Sequence, residues 1–249
     1  MVLELIIAAT VIVSLISLVA IALFLVDKKK LDAALFYLVS FSAGALLGAA
    51  FFDLLPEAIA GINAHMALGL VFIGLVSAFV LEKIIHWHHH HHIDHEGEHK
   101  HPLGLLTLIG DTFHNFFDGV AISAAFIVSA PLGIATTLAV ILHEIPHEIG
   151  NFSLLIYSGY SRRTALLFNF FTALASIGGG VLFFYFSGMI GHIEAYALAF
   201  TAGTFIYVAS ADLMPELHKE KRPKSSLVQL LLLLLGAALI WLMAAYLGG

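Results

Sequence analysis

The chain has 249 residues, 60% of them hydrophobic and 11% charged, with a formal net charge of −6, no cysteine and a mean hydropathy of +0.98. An ordinary soluble domain holds about 45–50% apolar and about 25% charged residues, and a 26.8 kDa chain exposes too much surface to hide this excess in a water-soluble core. A soluble enzyme, a disordered chain and a nucleic-acid binder are thereby excluded, as are a disulfide framework, a thiolate metal site and a cysteine nucleophile; what is left is an integral membrane protein.

Roughly 20 mostly apolar residues carry a helix across about 30 Å of hydrocarbon. Eight such segments follow in chain order: 3–26, 31–60, 67–85, 103–129, 132–158, 164–190, 195–217 and 227–247. The expected fold is a single all-α transmembrane domain, residues 1–249, with eight transmembrane helices. The first segment lacks a basic leading region and is too long for a signal peptide, so it counts as a span. Connections are short except for the His-rich stretch 86–102.

All 11 basic residues fall after helices 1, 3, 5 and 7: Lys28, Lys29 and Lys30, then Lys83 and Lys100, then Arg162 and Arg163, then Lys219, Lys221, Arg222 and Lys224. With eight spans they share one face. The positive-inside rule assigns that face to the cytoplasm and both termini to the other side.

Pro102, Pro131 and Pro223 precede helices, where a missing N–H does no harm. Pro56, Pro146 and Pro215 lie inside or near the ends of spans, beside acids, and each leaves the carbonyl four residues earlier without its helical donor. Two of these sites repeat: Asp53-Leu-Leu-Pro56-Glu57 in helix 2 and Asp212-Leu-Met-Pro215-Glu216 in helix 7. On the expected topology those helices run in opposite directions. The plan is then an inverted repeat of helices 1–3 and 6–8 around a central pair, which suits alternating access.

The central pair carries the chemistry. Helix 4 holds Asp111, His114, Asn115 and Asp118 at i, i+3, i+4 and i+7, on one helical face. Helix 5 holds His143/His147 and Glu144/Glu148, two adjacent i, i+4 pairs. His114 and His143 each sit about 11 residues into antiparallel helices, roughly 17 Å deep, so the clusters meet near the bilayer midplane. An ionisable group there costs about 2.5–3.5 kcal/mol on insertion scales, so these groups face one another or water. Imidazole and carboxylate without thiolate suit Zn2+, and also Fe2+, Mn2+, Co2+ or Cd2+. A structural polar network and a proton relay are the alternatives at this point.

These two motifs, His114-Asn115-Phe-Phe-Asp118-Gly119 and His143-Glu144-Ile-Pro146-His147-Glu148-Ile-Gly150, resemble the ZIP family of divalent-metal transporters. The second is similar to the HExPHE signature of that family's His-rich subfamily, and the resemblance extends to the spans, the termini and a His-rich cytoplasmic loop. It implies a binuclear site. One metal would take His114, Asp118, His143 and His147; the other would take Asn115 and Glu144, with His147 or Glu148 nearby. Helix 6 residues Asn169 and Ser176 are weaker candidates. Asn151 departs from the pattern, which has Asp there.

His143-Glu144-Ile-Pro146-His147 also satisfies H-E-x-x-H, so an intramembrane zinc metalloprotease is the rival reading. Against it, Pro146 interrupts the helix between the histidines, and helix 4 supplies more ligands than a catalytic zinc with an open position needs. The proline is expected to leave the Leu142 carbonyl facing a pathway.

Function on this reading is Zn2+ transport into the cytoplasm, with Fe2+, Mn2+ and Cd2+ as further candidates and no organic cofactor. Asp53 and Glu57 would attract the ion on the outer side, and Asp111, Glu148 and the His-rich stretch would lead it out. In that stretch His88, His89, His90, His91, His92 and His95 form a weak auxiliary metal-binding run, for which a bare linker is the plainer alternative. His65 and His192 stand in outer connections. The partners are divalent ions and the lipid bilayer, with a homodimer one candidate assembly. The plasma (inner) membrane is the expected location and an internal membrane the alternative.

Overall fold

The computed structural model describes residues 1–21, 27–90 and 100–247, and among them all regular structure is helical. We number eight helical units in chain order. α1 is Val2–Ile16, continued by a 3-10 turn, Ser17–Ile21. α2 comprises Lys28–Gly48, a π-helical turn Ala49–Leu54 and Leu55–Gly61. α3 is Ala64–His90, α4 is Lys100–Val128 and α5 is Ala130–Tyr157. α6 is Arg162–Ala173 and Ala175–Ser187, α7 is Ile193–Tyr207, a π-helical turn Val208–Leu213 and Met214–Leu217, and α8 is Pro223–Leu247.

Six units are long and apolar enough to cross a membrane: Val2–Ile21, Ala33–Gly61, Ala64–Ile84, Arg162–Ser187, Ile193–Leu217 and Pro223–Tyr246. α4 and α5 have 29 and 28 residues, about 42 Å at 1.5 Å per residue, and they carry the acids and histidines of the central pair. Large apolar side chains such as Phe72, Phe171, Leu230 and Leu234 are exposed on the outside of the bundle, the surface of a multi-pass membrane protein.

Local chemistry accounts for most element ends. Ser129, with extended backbone, starts α5 by accepting from Leu132 N–H at 3.3 Å, with Pro131 just inside. Ser161 does the same for α6 through Thr164 N–H. α6 breaks at Leu174, and there the Ser14 hydroxyl of α1 donates to the Ala173 carbonyl at 2.8 Å. α3 continues through His90, five residues into the stretch expected to be loop from residue 86. His88, His89 and His90 thus end a helix, while His91, His92 and His95 lie outside the described residues.

The motifs around Pro56 and Pro215 fold alike. Each proline follows a π-helical turn, and the first residue after the turn donates five residues back, Leu55 N–H to Ala50 O and Met214 N–H to Ala209 O. The likeness reaches further than the five residues compared above. Phe41-Ser42-Ala43-Gly44 and Phe200-Thr201-Ala202-Gly203 stand at the same distance before the two motifs. Both glycines lie at helix crossings where no side chain fits. A Cβ on Gly44 would stand 1.8 Å from the Leu233 carbonyl oxygen of α8, and one on Gly203 would stand 2.0 Å from that of Val71 in α3. The crossings are reciprocal: Gly236 of α8 meets the Phe41 carbonyl, and Gly74 of α3 meets that of Phe200.

α2 therefore packs on α8, and α3 on α7, through backbone contact. α4 packs in the same way on α6, where Gly119 meets the Ser176 carbonyl and Gly179 meets that of Phe116. With α1 resting on α5 and α6, two four-helix groups result, α2/α3/α7/α8 and α1/α4/α5/α6. The main apolar core fills one half of the space between them. It contains Ile122 and Phe126 of α4, Ala139 and Val140 of α5, Leu46 and Leu54 of α2, and Leu198 and Phe205 of α7. In the other half lies a cavity.

Candidate metal centre

Because α4 and α5 pack against each other, their i, i+4 faces meet at one level. Four ligand atoms from His114, Asp118, His143 and Glu144 lie within 4.8 Å of one another. His114 Nε2 is 3.0 Å from Glu144 Oε1, 3.8 Å from Asp118 Oδ2 and 3.2 Å from His143 Nε2. His143 Nε2 is 3.3 Å from Asp118 Oδ2 and 3.5 Å from Glu144 Oε1. Zinc bonds of about 2.0–2.2 Å imply tetrahedral edges of roughly 3.3–3.6 Å between donor atoms. Five of the six donor–donor distances bracket that value and all four atoms lie within 4.8 Å of one another, so the group is compact enough to close around one ion.

The polar bookkeeping agrees. Asp118 Oδ2 and Glu144 Oε1 are buried, and what faces them is imidazole nitrogen, His143 Nε2 for the first and His114 Nε2 for the second, so each carboxylate is held beside the donor with which it would share an ion. His143 turns Nδ1 to the Ala139 carbonyl at 3.1 Å, a contact that fixes the ring and leaves Nε2 free to ligate. The Phe205 ring packs edge-on against His143, 5.8 Å between centroids.

The remaining central-pair residues sit around this group. His147 stacks near His114, with ring centroids 4.5 Å apart, but turns Nε2 to Asp111 Oδ1 at 3.4 Å. Asn115 is fully buried, donating through Nδ2 to the Asp111 carboxylate and carbonyl at 3.2 Å each, and its Oδ1 has no partner. Glu148 is also fully buried, and Asn169 Nδ2 of α6 donates to its Oε2. Asn151, the departure from the family pattern, donates to Asp111 Oδ1 at 2.7 Å. The geometric foursome thus contains Glu144, whereas the ligand set carried over from the family for one metal had His147 in that place.

A cavity of about 860 Å3 leads away from the foursome. Its wall begins at His114 and His143, passes Asp111, His147 and Asn151, and reaches Lys219 and Glu220 at the surface. The division along the central helices is sharp. Lining residues on α4 end at His114 and those on α5 begin at His143, while the residues beyond, from Ile122 and back from Val140, belong to the packed core. Asp53 and Glu57 do not line it; Asp53 is buried with Oδ2 unpartnered, and Glu57 is exposed. Ser176 is buried with an unpartnered hydroxyl, and His65 and His192 are exposed.

Four residues escape the sequence reading: Ser42, Thr172, Glu82 and Tyr207. The Leu142 carbonyl, expected to face a pathway, instead accepts from Ser42 Oγ of α2 at 2.6 Å. The hydroxyl replaces the amide that Pro146 lacks, because a bare carbonyl at a buried helix crossing is unfavourable. Thr172 of α6 donates through Oγ1 to Asp111 Oδ2; its spacing of three from Asn169 was the available signal. Glu82 of α3 and Tyr207 of α7 line the cavity, joined by a hydrogen bond from the Tyr207 hydroxyl, and an acid inside a span was the signal there.

The sequence model of the ZIP Zinc transporter family matches residues 2–104 and 101–244. Zinc transporter ZIP13 of Pongo abelii is 36% identical over 225 residues, which is 84% of this chain and 66% of that protein. Zinc transporter zipt-7.2 of Caenorhabditis elegans is 40% identical over 145 residues, 57% of this chain and 31% of that protein. Zinc transporter SLC39A7 of Rattus norvegicus is 42% identical over 148 residues, 57% of this chain and 32% of that protein. The chain spans about two thirds of the first relative and about a third of the other two. With most of its length matched by the family model, the chain belongs to the ZIP family of zinc transporters.

Proposed function

We propose that this chain transports Zn2+ across a membrane into the cytoplasm, by alternating access around a midplane site on α4 and α5. The observation that carries the reading is the compact group His114, Asp118, His143 and Glu144 at the inner end of a cavity that reaches the surface beside Lys219. That surface segment holds Lys219, Lys221, Arg222 and Lys224, which the positive-inside rule assigns to the cytoplasm. All eight units then span the bilayer, with both termini on the far side, and the conformation described opens inward while the packed core closes the outer half.

The matching π turns and glycine crossings of α2 and α7 support an inverted repeat, the usual basis of alternating access. Asn115, His147 and Glu148 offer donors for a second ion beside the first, which makes the site binuclear, with Asn169 behind it. Asp53 and Glu57 would concentrate cations on the outer side, and Asp111, in the cavity wall, and the His-rich stretch would receive the ion on the way out. Fe2+, Mn2+ and Cd2+ fit the same donor chemistry. The plasma (inner) membrane and a homodimeric assembly complete the reading. The relatives are named transporters, and nothing among them supports the protease alternative.

The test is uptake into proteoliposomes with a zinc dye inside. Zinc-dependent filling is expected from the native chain, with loss of at least tenfold in Asp118→Ala and His143→Ala. A chain that leaves the dye dark but cleaves an added membrane peptide, in a Glu144-dependent manner, would reverse the assignment.

A further inference from the structure

Asp111 stands one turn before His114 on α4 and outside the four-atom group, yet three helices converge on its buried carboxylate. Asn151 of α5 and Asn115 of α4 donate to Oδ1, and Thr172 of α6 donates to Oδ2. All three are neutral donors, so they orient the carboxylate without cancelling its charge. The imidazole that faces it is His147, with Nε2 3.4 Å from Oδ1.

His147 is one turn beyond His143 on the same α5 face, and its ring lies 4.5 Å from that of His114. It is therefore within reach of the foursome, but its Nε2 stands against Asp111 Oδ1, and Asp111, His147 and Asn151 all line the cavity. A fifth donor would deepen the well holding the ion, and a carrier has to let go on the side to which it is open.

We propose that Asp111, held by Thr172 and Asn151, is a positioning residue that keeps His147 to the cavity side of the ligand group while the cavity is open. The ion then leaves from four donors instead of from those four and His147 together. The inference rests on the transport reading given above. It assigns a release function to a carboxylate that touches no member of the foursome as a ligand, and to Thr172, which has no chemistry of its own toward a metal here.

The distinguishing measurement is Zn2+ binding to the purified full chain in detergent, titrated against a chromophoric chelator, beside uptake kinetics. Asp111→Asn keeps the shape and removes the charge, so His147 is released to the metal. Zinc should bind more tightly by about tenfold, the scale on which outer-sphere partners act, and maximal uptake and KM should fall together. In a His147→Ala background the same substitution should leave affinity unchanged. Thr172→Val should shift affinity in the same direction by a smaller factor, and it carries the test should Asp111→Asn fail to fold. Weaker binding in Asp111→Asn would make Asp111 a ligand and overturn the proposal. So would unchanged affinity in both variants, which would leave Asp111 a packing residue. Asp118→Ala serves as the separate control: full zinc affinity there would sink the transport site itself, whatever Asp111 does.

Discussion

Where the cavity meets the surface, charge is arranged in pairs. Lys219 Nζ contacts Glu216 Oε1, and Arg222 donates Nε to Glu220 Oε1 at 3.0 Å and Nη2 to Oε2 at 2.7 Å. The guanidinium holds the Glu220 carboxyl down at about 2, from an ordinary value of 4.5. A carboxylate lowered in this way keeps its contact at all pH values above 4.5 and loses it only as pH falls from there toward 2. Between pH 7 and 5 the Glu220–Arg222 pair therefore keeps its charge. Metal ligands, in contrast, bind deprotonated, so zinc competes with protons at the site itself. Uptake should decline on acidification over that interval, and Glu220→Gln should leave the shape of the pH profile as in the native chain. A profile flattened by Glu220→Gln would put the titrating group at the mouth.

Helix α5 is broken in its hydrogen bonding by Pro146 and mended from outside by Ser42. An unpartnered buried carbonyl costs about 1–3 kcal/mol, so Ser42→Ala should lower the stability of the chain in detergent by that much. Pro146→Ala restores an amide to the helix, and in that background Ser42→Ala should be close to neutral. Thermal unfolding of the two single variants and the double variant measures the coupling, and strict additivity would mean that the hydroxyl is not standing in for the amide. Much at this scale was legible beforehand, because it depends on period and length. The apolar runs located helices, six of them long and apolar enough to cross a membrane, and the spacing from Asp111 to Asp118 put four polar residues on one face. What the sequence reading lacked is what depends on contacts between helices. The Leu142 carbonyl could not be assigned a donor without knowing that α2 crosses α5. Period also could not say whether Glu144 or His147 of the two α5 rows turns toward His114, since both rows are interior. The Phe-Ser-Ala-Gly and Phe-Thr-Ala-Gly segments were readable as a repeat, but only the crossings explain why glycine is required there: an added Cβ would collide with backbone, which cannot rotate away.

For the whole molecule, the candidate site is closed on one side by packing and open on the other by a cavity, and the two conditions divide α4 and α5 at the His114, Asp118, His143 and Glu144 group. Ser123 lies beyond Asp118 in the packed half, fully buried, with its hydroxyl unpartnered. Ser153 lies in the cavity wall and is exposed. His65, the second residue of α3, is exposed at the end of that helix nearest the connection from α2. The native chain has no cysteine, so single cysteines introduced at these places are the only thiols present. In sealed vesicles a membrane-impermeant thiol reagent should reach Ser153→Cys from the face that bears Lys219 and His65→Cys from the opposite face. Both reacting from one face would remove the eight-span plan, and with it the direction of transport. Ser123→Cys gives the conformational half of the test. At rest it should be inert, because Ile122, Ala124 and their neighbours exclude water from that half. On the alternating-access proposal the core parts for the ion to enter, so Ser123→Cys should become reactive from the His65 face while Ser153→Cys becomes protected. Uptake that proceeds with Ser123→Cys still inert would mean that the ion does not pass through this half of the molecule. The packed core would then be a fixed wall instead of a closed gate.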